Sequence, residues 1–285
     1  MSKKIDVLLL ADRDPKSLWP LTETMPPCLL PIGGKPLIIH ALESLATCVT
    51  ANVTVVIATD DEMTPVLLAN VGFPTLTISV SSLPHPFVET RMLVMRGDIV
   101  VSPRAIENMI MEFEDDSGMT HATPVVGVLR LAPGEPAPTW RQTATLSGND
   151  DCTLPDLAAY WRMAMSMGNS ELTELRPAGW IAGDGLRMGM NARVLTRRAP
   201  GRGVTIGAEA FVDKNVVLGD NAIIGDRAYV AKGAKIVRSI VMPDTFVGPN
   251  LVLDQAIACG PWLCRIDTGA ILRITDQTIL ARLAA

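Results

Sequence analysis

From Ile206 to Met242 an apolar residue stands at every sixth position: Ile206, Val212, Leu218, Ile224, Val230, Ile236 and Met242. A small or turn-forming residue follows most of them, as in Gly207, Asp213, Gly219, Gly225, Ala231 and Pro243. Four places after each comes a second inward-sized residue: Ala210, Val216, Ala222, Ala228, Ala234 and Ile240. The series then skips a beat and resumes as Val247, Leu253 and Cys259. Helices repeat every 3.6 residues and strands every 2, so a sustained period of six predicts a parallel β-solenoid. Each hexad makes one flat side and three close a coil, with the large apolar residues stacked along the axis. Roughly three coils fit between 206 and 259.

The rest of the chain is long enough for a separate domain. At 285 residues, 48% hydrophobic and 19% charged, the composition is that of a globular protein with a large core. We expect one domain over 1–195 and the solenoid over 203–285, with an irregular tail ending near Leu283. The net charge of −5 gives no general attraction to nucleic acid or anionic lipid. Arg193, Arg197, Arg198 and Arg202 form a basic cluster that reads as a solvated linker, with phosphate binding as the functional alternative. No apolar run reaches the ~18 residues of a membrane span or makes a signal peptide, so a cytoplasmic location is expected. The five cysteines (Cys28, Cys48, Cys152, Cys259, Cys264) show no CxxC spacing and read as buried or incidental thiols.

The front half alternates strands and helices. Residues 5–10 form an apolar run suited to a central parallel strand buried on both faces. Helix 36–46, strand 53–59, helix 62–70, strand 75–81, strand 91–95, a helix near 106–113 and a strand near 124–131 follow. This order predicts a three-layer α/β domain with a mostly parallel sheet. Ligands in such sheets lie beyond the carboxyl ends of the strands, which here means the loop after the first strand and the Gly97-Asp98 turn. A further helix over 153–167 starts at Pro155 and Asp156. Its face of Leu157, Tyr160, Trp161, Ala164 and Met165 suits packing in its own domain or, less simply, a partner.

Both loops resemble one family. Leu10-Ala11, Leu18, Pro20-Leu21-Thr22, Pro26, Leu29-Leu30-Pro31-Ile32, Gly34-Lys35-Pro36 and Leu42-Glu43 resemble the opening signature of the nucleotide-sugar pyrophosphorylases. Those sugar-phosphate nucleotidyltransferases join a nucleoside triphosphate to a sugar 1-phosphate and release pyrophosphate. Met92-Leu-Val-Met-Arg-Gly97-Asp98 resembles the family strand whose aspartate holds catalytic magnesium. Some members carry a C-terminal left-handed β-helix of hexapeptide repeats, which the six-residue period also resembles. The resemblance therefore implies a nucleotidyltransferase-like (Rossmann-like) domain followed by a short left-handed parallel β-helix.

The departures from that family bear on activity. Its glycine-rich loop, whose backbone amides and arginine hold the triphosphate, is replaced by Asp12-Arg13-Asp14-Pro15-Lys16-Ser17. Pro15 has no backbone donor, and each aspartate would repel a phosphate charge by ~4 kcal/mol at ~4 Å and an effective dielectric near 20. Arg13 and Lys16 offset part of this. The family's Pro-Lys step is Pro26-Pro27, its base-binding helix is shortened to 82–90, and its Glu-Lys-Pro sugar contact has only Gly134-Glu-Pro136 as a poor counterpart.

Lys16 and Lys35 remain as phosphate-binding candidates, although Gly33-Gly34-Lys35-Pro36 is also an ordinary turn before a helix. Asp98 is the candidate metal ligand, or a turn aspartate capping a strand end. Asp184, in Trp180-Ile-Ala-Gly-Asp184-Gly, is the second metal candidate. The three histidines (His40, His85, His121) all precede the solenoid, which argues against the histidine-based acyltransferase and zinc chemistries built on such coils.

The resulting expectation is a degenerate nucleotidyltransferase-like protein, regulatory or scaffolding in nucleotide-sugar or surface-polysaccharide synthesis. Two alternatives stay open: an active transferase with a rearranged site, and a solenoid assembly module that binds no nucleotide. The expected partners are a nucleotide or nucleotide sugar, a second copy of the chain, or a polysaccharide-synthesis enzyme. Mg2+ would enter only with a nucleotide.

Overall fold

The computed structural model describes residues 5–82, 91–99, 103–104, 106–107, 110, 126–130, 154–168, 177–182 and 186–283. Expectations placed on 83–90, 134–136, His85, His121, Cys152 and Asp184 lie outside these residues. The described chain divides into two compact units. One holds the residues up to Leu154 except Trp19–Leu21 and Pro31–Lys35, which join everything from Pro155 onward in the other.

The first unit is built on a five-stranded sheet. Its strands are β1 (Ile5–Ala11), β2 (Ala51–Ile57), β3 (Leu76–Ser82), β4 (Arg91–Arg96) and β5 (Val126–Arg130), in the order β3-β2-β1-β4-β5. All neighbours are parallel except β4 and β5. The apolar run of β1 lies in the middle, with Val7 opposite both Val53 and Leu93. Val7, Leu9 and Ala11 pack with Ile38, Ala41, Leu42 and Leu45 of helix α1 (Leu37–Cys48) and with Leu68 of α2 (Met63–Ala69). On the opposite face Leu8 and Leu10 are equally buried, which is why this strand is apolar at nearly every position rather than alternating. The chain steps outward from β1 to β2 and β3, then crosses back to β4 on the other side. Strand order therefore reverses between β1 and β4, the topological switch point of the sheet.

The second unit is the expected left-handed β-helix, and it begins earlier than expected. Arg187–Met188 and Arg193–Val194 already pair in parallel with Thr205–Ile206 and Phe211–Val212, and Gly201 donates to the Leu218 carbonyl at 2.8 Å. The basic cluster is therefore a coil and not a linker, and the expected boundary at 195–203 falls inside the solenoid. The sequence held this signal: Met188 and Val194 continue the six-residue phase backwards, with Pro200 in the third place.

The period itself changes after Ile236. Ile224 pairs with Val241, and Val241 with Ala258, so Met242 and Cys259 are not in the axial stack. Two sides of the solenoid have five residues, each turning at a left-handed corner, Arg238 (φ 44°) and Gln255 (φ 49°). Arg238 spans to Asp254 one coil on, at 2.8 and 3.0 Å from Nη2. Ile240 also leaves the inward place, which passes to fully buried Ser239. Its Oγ donates to the Val237 carbonyl at 2.7 Å and accepts from the Ala256 amide at 3.1 Å.

A one-residue slip sends alternate side chains to the opposite face. Met242 thus points outward and is buried under helix α3 (Leu157–Gly168). Tyr160 of that helix donates to the Pro31 carbonyl at 2.6 Å, with the Met242 sulfur at 3.6 Å, and Trp161 donates from Nε1 to the Arg238 carbonyl at 2.8 Å. The face of α3 is therefore a packing face within its own unit. The tail is ordered into strands: Trp262–Arg265 and Ile271–Arg273 extend one sheet antiparallel, and Leu280–Arg282 closes another against Thr245–Val247.

Candidate functional site

Residues that follow β1 and β4 meet at the switch point. Gly97 continues the ladder, its amide donating to the Leu10 carbonyl at 2.7 Å. A side chain there would press on Leu9 and Ile38 at 3.2 and 3.4 Å, so a glycine lets the chain hug β1 and turn. Asp98 follows, with its side chain fully buried.

Its carboxylate is held by two arginines. Arg96 donates from Nε to Oδ1 at 2.7 Å and from Nη2 to Oδ2 at 2.9 Å. Arg13, from the loop after β1, donates from Nη1 to Oδ2 at 3.3 Å. The fork matches the planar carboxylate, the geometry in which arginine binds most strongly. Burial works against the Arg96 cation, but the hydrogen bonds and charge of Asp98, with Asp12 nearby, hold its pKa above the ordinary value.

These donors do not fit a divalent cation. Both oxygens of the carboxylate already accept from guanidinium groups, whose charge would repel a metal at the same place. Among the described residues no group of three or more His, Cys, Asp or Glu is arranged to hold a metal ion.

The loop that replaces the glycine-rich segment is a tight turn. Pro15–Leu18 is a single 3-10 helix, the Lys16 amide donates to Asp14 Oδ1 at 3.0 Å, and Thr22 donates to the Pro15 carbonyl at 2.6 Å. Here the Asp14 carboxylate accepts a backbone donor that a phosphate cradle would leave open. Lys16 is exposed on this turn, in the same unit as Asp98. Lys35 belongs to the other unit, where Gly33 and Gly34 turn with φ of 55° and 78°. Gly33 there lies so close to Met167 that a Cβ would stand 2.7 Å from its terminal methyl carbon. Sequence reasoning overlooked Arg96 as a site residue. Its signal was a cation two places before the aspartate, directly after the apolar run from Met92 to Met95.

Cys28 is near enough to Asp98 for the carboxylate charge to add to the rise in its thiol pKa. Cys28, Cys48, Cys259 and Cys264 are thiols and not disulfides, and burial pushes the Cys28 and Cys264 thiols up to about 12.

Comparison with known proteins gives a family match and a structural likeness. Residues 203–238 match the family described as bacterial transferase hexapeptide (six repeats). No curated protein matches the chain. Among solved structures, a Bacillus anthracis protein described as a glucose-1-phosphate thymidylyltransferase assignment, in complex with a sucrose, is similar at 20% identity and a TM-score of 0.34. That match covers 42% of this chain and 56% of the other protein. The likeness is too distant to carry an argument about function.

Proposed function

We propose that this chain is a nucleotidyltransferase-related protein of nucleotide-sugar or surface-polysaccharide synthesis that binds or senses its ligand without transferring nucleotides. The observation that carries this reading is the state of Asp98. A carboxylate at the switch point, where a metal-dependent transferase needs an open ligand, is neutralised by Arg96 and Arg13. The Pro15–Leu18 turn supports the same reading, because stabilising a polyphosphate transition state requires several preorganised donors. The solenoid supports a scaffolding role, in which a second copy or a synthesis enzyme is the partner.

Titration of nucleoside triphosphates and nucleotide sugars by calorimetry, with Mg2+ present and pyrophosphate release followed in parallel, tests the proposal. Binding without turnover is expected, weakened by Arg13→Ala. Pyrophosphate release at the rate of an ordinary transferase overturns it in favour of a rearranged active site. Absence of binding by every nucleotide overturns it in favour of a pure assembly module.

A further inference from the structure

The first coil of the solenoid, residues 186–203, contains Arg187, Arg193, Arg197, Arg198 and Arg202 and no aspartate or glutamate, in a chain of net charge −5. One rung of a sheet is about 4.8 Å thick, so this positive charge is gathered in a thin terminal ring. Four of the five arginines are exposed, and no ion pair among the described residues involves any of them. Asp220 Oδ1 of the next coil accepts the backbone amide of Arg202 at 2.8 Å, and Glu209 of that coil lines a shallow depression together with Arg193.

The same end of the solenoid exposes large apolar side chains. Met190 is 70% exposed and Leu195 44%, and Trp180 (54%) and Ile181 (68%) lie on the short strand paired with Arg187–Met188. A terminal solenoid repeat ordinarily presents a polar cap to water. Here it presents arginines interleaved with Trp, Ile, Met and Leu, a combination that marks an interaction surface.

We propose that this coil docks peripherally on a bilayer rich in anionic phospholipid. The charge is complementary to the lipid phosphates, which attract clustered arginines near the surface. The apolar side chains select the bilayer over other polyanions: a nucleic acid would engage the arginines and leave Ile181 and Met190 in water. A bilayer takes both at once, with Trp180 suited to the headgroup level. Docking of this kind needs no membrane-crossing helix, and among the described residues no helix is long and apolar enough to be one.

Co-sedimentation of the full chain with phosphatidylcholine vesicles, with and without phosphatidylglycerol, tests the proposal. Pelleting is expected only with the anionic vesicles and declines as salt is added. Arg197→Glu combined with Arg198→Glu lowers the vesicle partition coefficient by at least about thirtyfold. Ile181→Ser combined with Met190→Ser weakens binding with the charge intact. These side chains are exposed, and an unchanged Tm confirms that each variant is folded. Trp fluorescence quenching by brominated lipid, lost in Trp180→Phe, gives a second readout on the folded chain. Equal pelleting with neutral vesicles, no pelleting, or indifference to the arginine reversal overturns the proposal. So does tight binding of duplex DNA that ignores Ile181 and Met190 while vesicles are left unbound.

Discussion

Arg96 grips both carboxylate oxygens of Asp98, at 2.7 and 2.9 Å, from only two residues away along the chain. The pair closes over the end of β4, at the point where strand order reverses. Removing one member of a buried ion pair leaves the other charge uncompensated, whereas replacing both by apolar residues is often tolerated. Asp98→Ala is therefore expected to lower stability by about 3 kcal/mol, and Arg96→Met added to Asp98→Ala to recover most of the loss. Urea denaturation of the single and double variants checks this.

Neighbouring coils approach each other closely at several glycines. A Cβ on Gly207 would stand 2.5 Å from the Asp226 amide nitrogen and 2.7 Å from the Gly225 carbonyl carbon, whereas one on Gly72 meets nothing within 4 Å. Backbone cannot swing aside as a side chain can. Gly207→Ala is expected to destabilise by more than about 2 kcal/mol, and Gly72→Ala to lie within about 0.5 kcal/mol of the wild type. Thermal unfolding of both variants separates the outcomes.

Val241, and not Met242, occupies the axial stack beneath Ile224. Val241→Asp would bury an unpaired charge in that stack and is expected to unfold the solenoid, a loss above about 4 kcal/mol. Val252, on a coil face and 60% exposed, is the control: Val252→Asp is expected to leave the circular dichroism spectrum and the urea midpoint nearly unchanged.

Burial raises the Cys28 and Cys264 thiols from 9.0 to about 12. Between those values the unfolded chain releases protons that the folded chain keeps, so stability is full below about pH 9 and falls as pH rises toward about 12. Urea midpoints across that range are expected to decline, and less steeply in Cys28→Ala, which removes one of the titrating groups. At neutral pH both thiols are expected to resist iodoacetamide until the protein unfolds. Labelling at native pH would contradict the burial.

Much of the architecture was legible in the sequence because it rests on repeating local patterns. The six-residue period identified the solenoid, and the alternating elements of the front half identified a sheet with β1 in its centre. Asp98 was legible as a turn residue at a strand end. Its partner Arg13 was not: it lies 85 residues away, and nothing local to either residue announces that the sheet order will bring the two loops together.

The sequence by itself determined which module each half forms, because the phase of apolar residues dictates which side chains can share a core. Tertiary structure alone decided where that phase breaks. Two five-residue sides, at Arg238 and Gln255, return the chain to register while turning Met242 outward to be covered by Tyr160. Pattern cannot distinguish an apolar residue buried inside a coil from one buried against its outside, since both are removed from water. Only the packing of α3 on that face says which is which. The same holds at the switch point, where Arg13 and Asp98 meet in space and lie 85 residues apart along the chain.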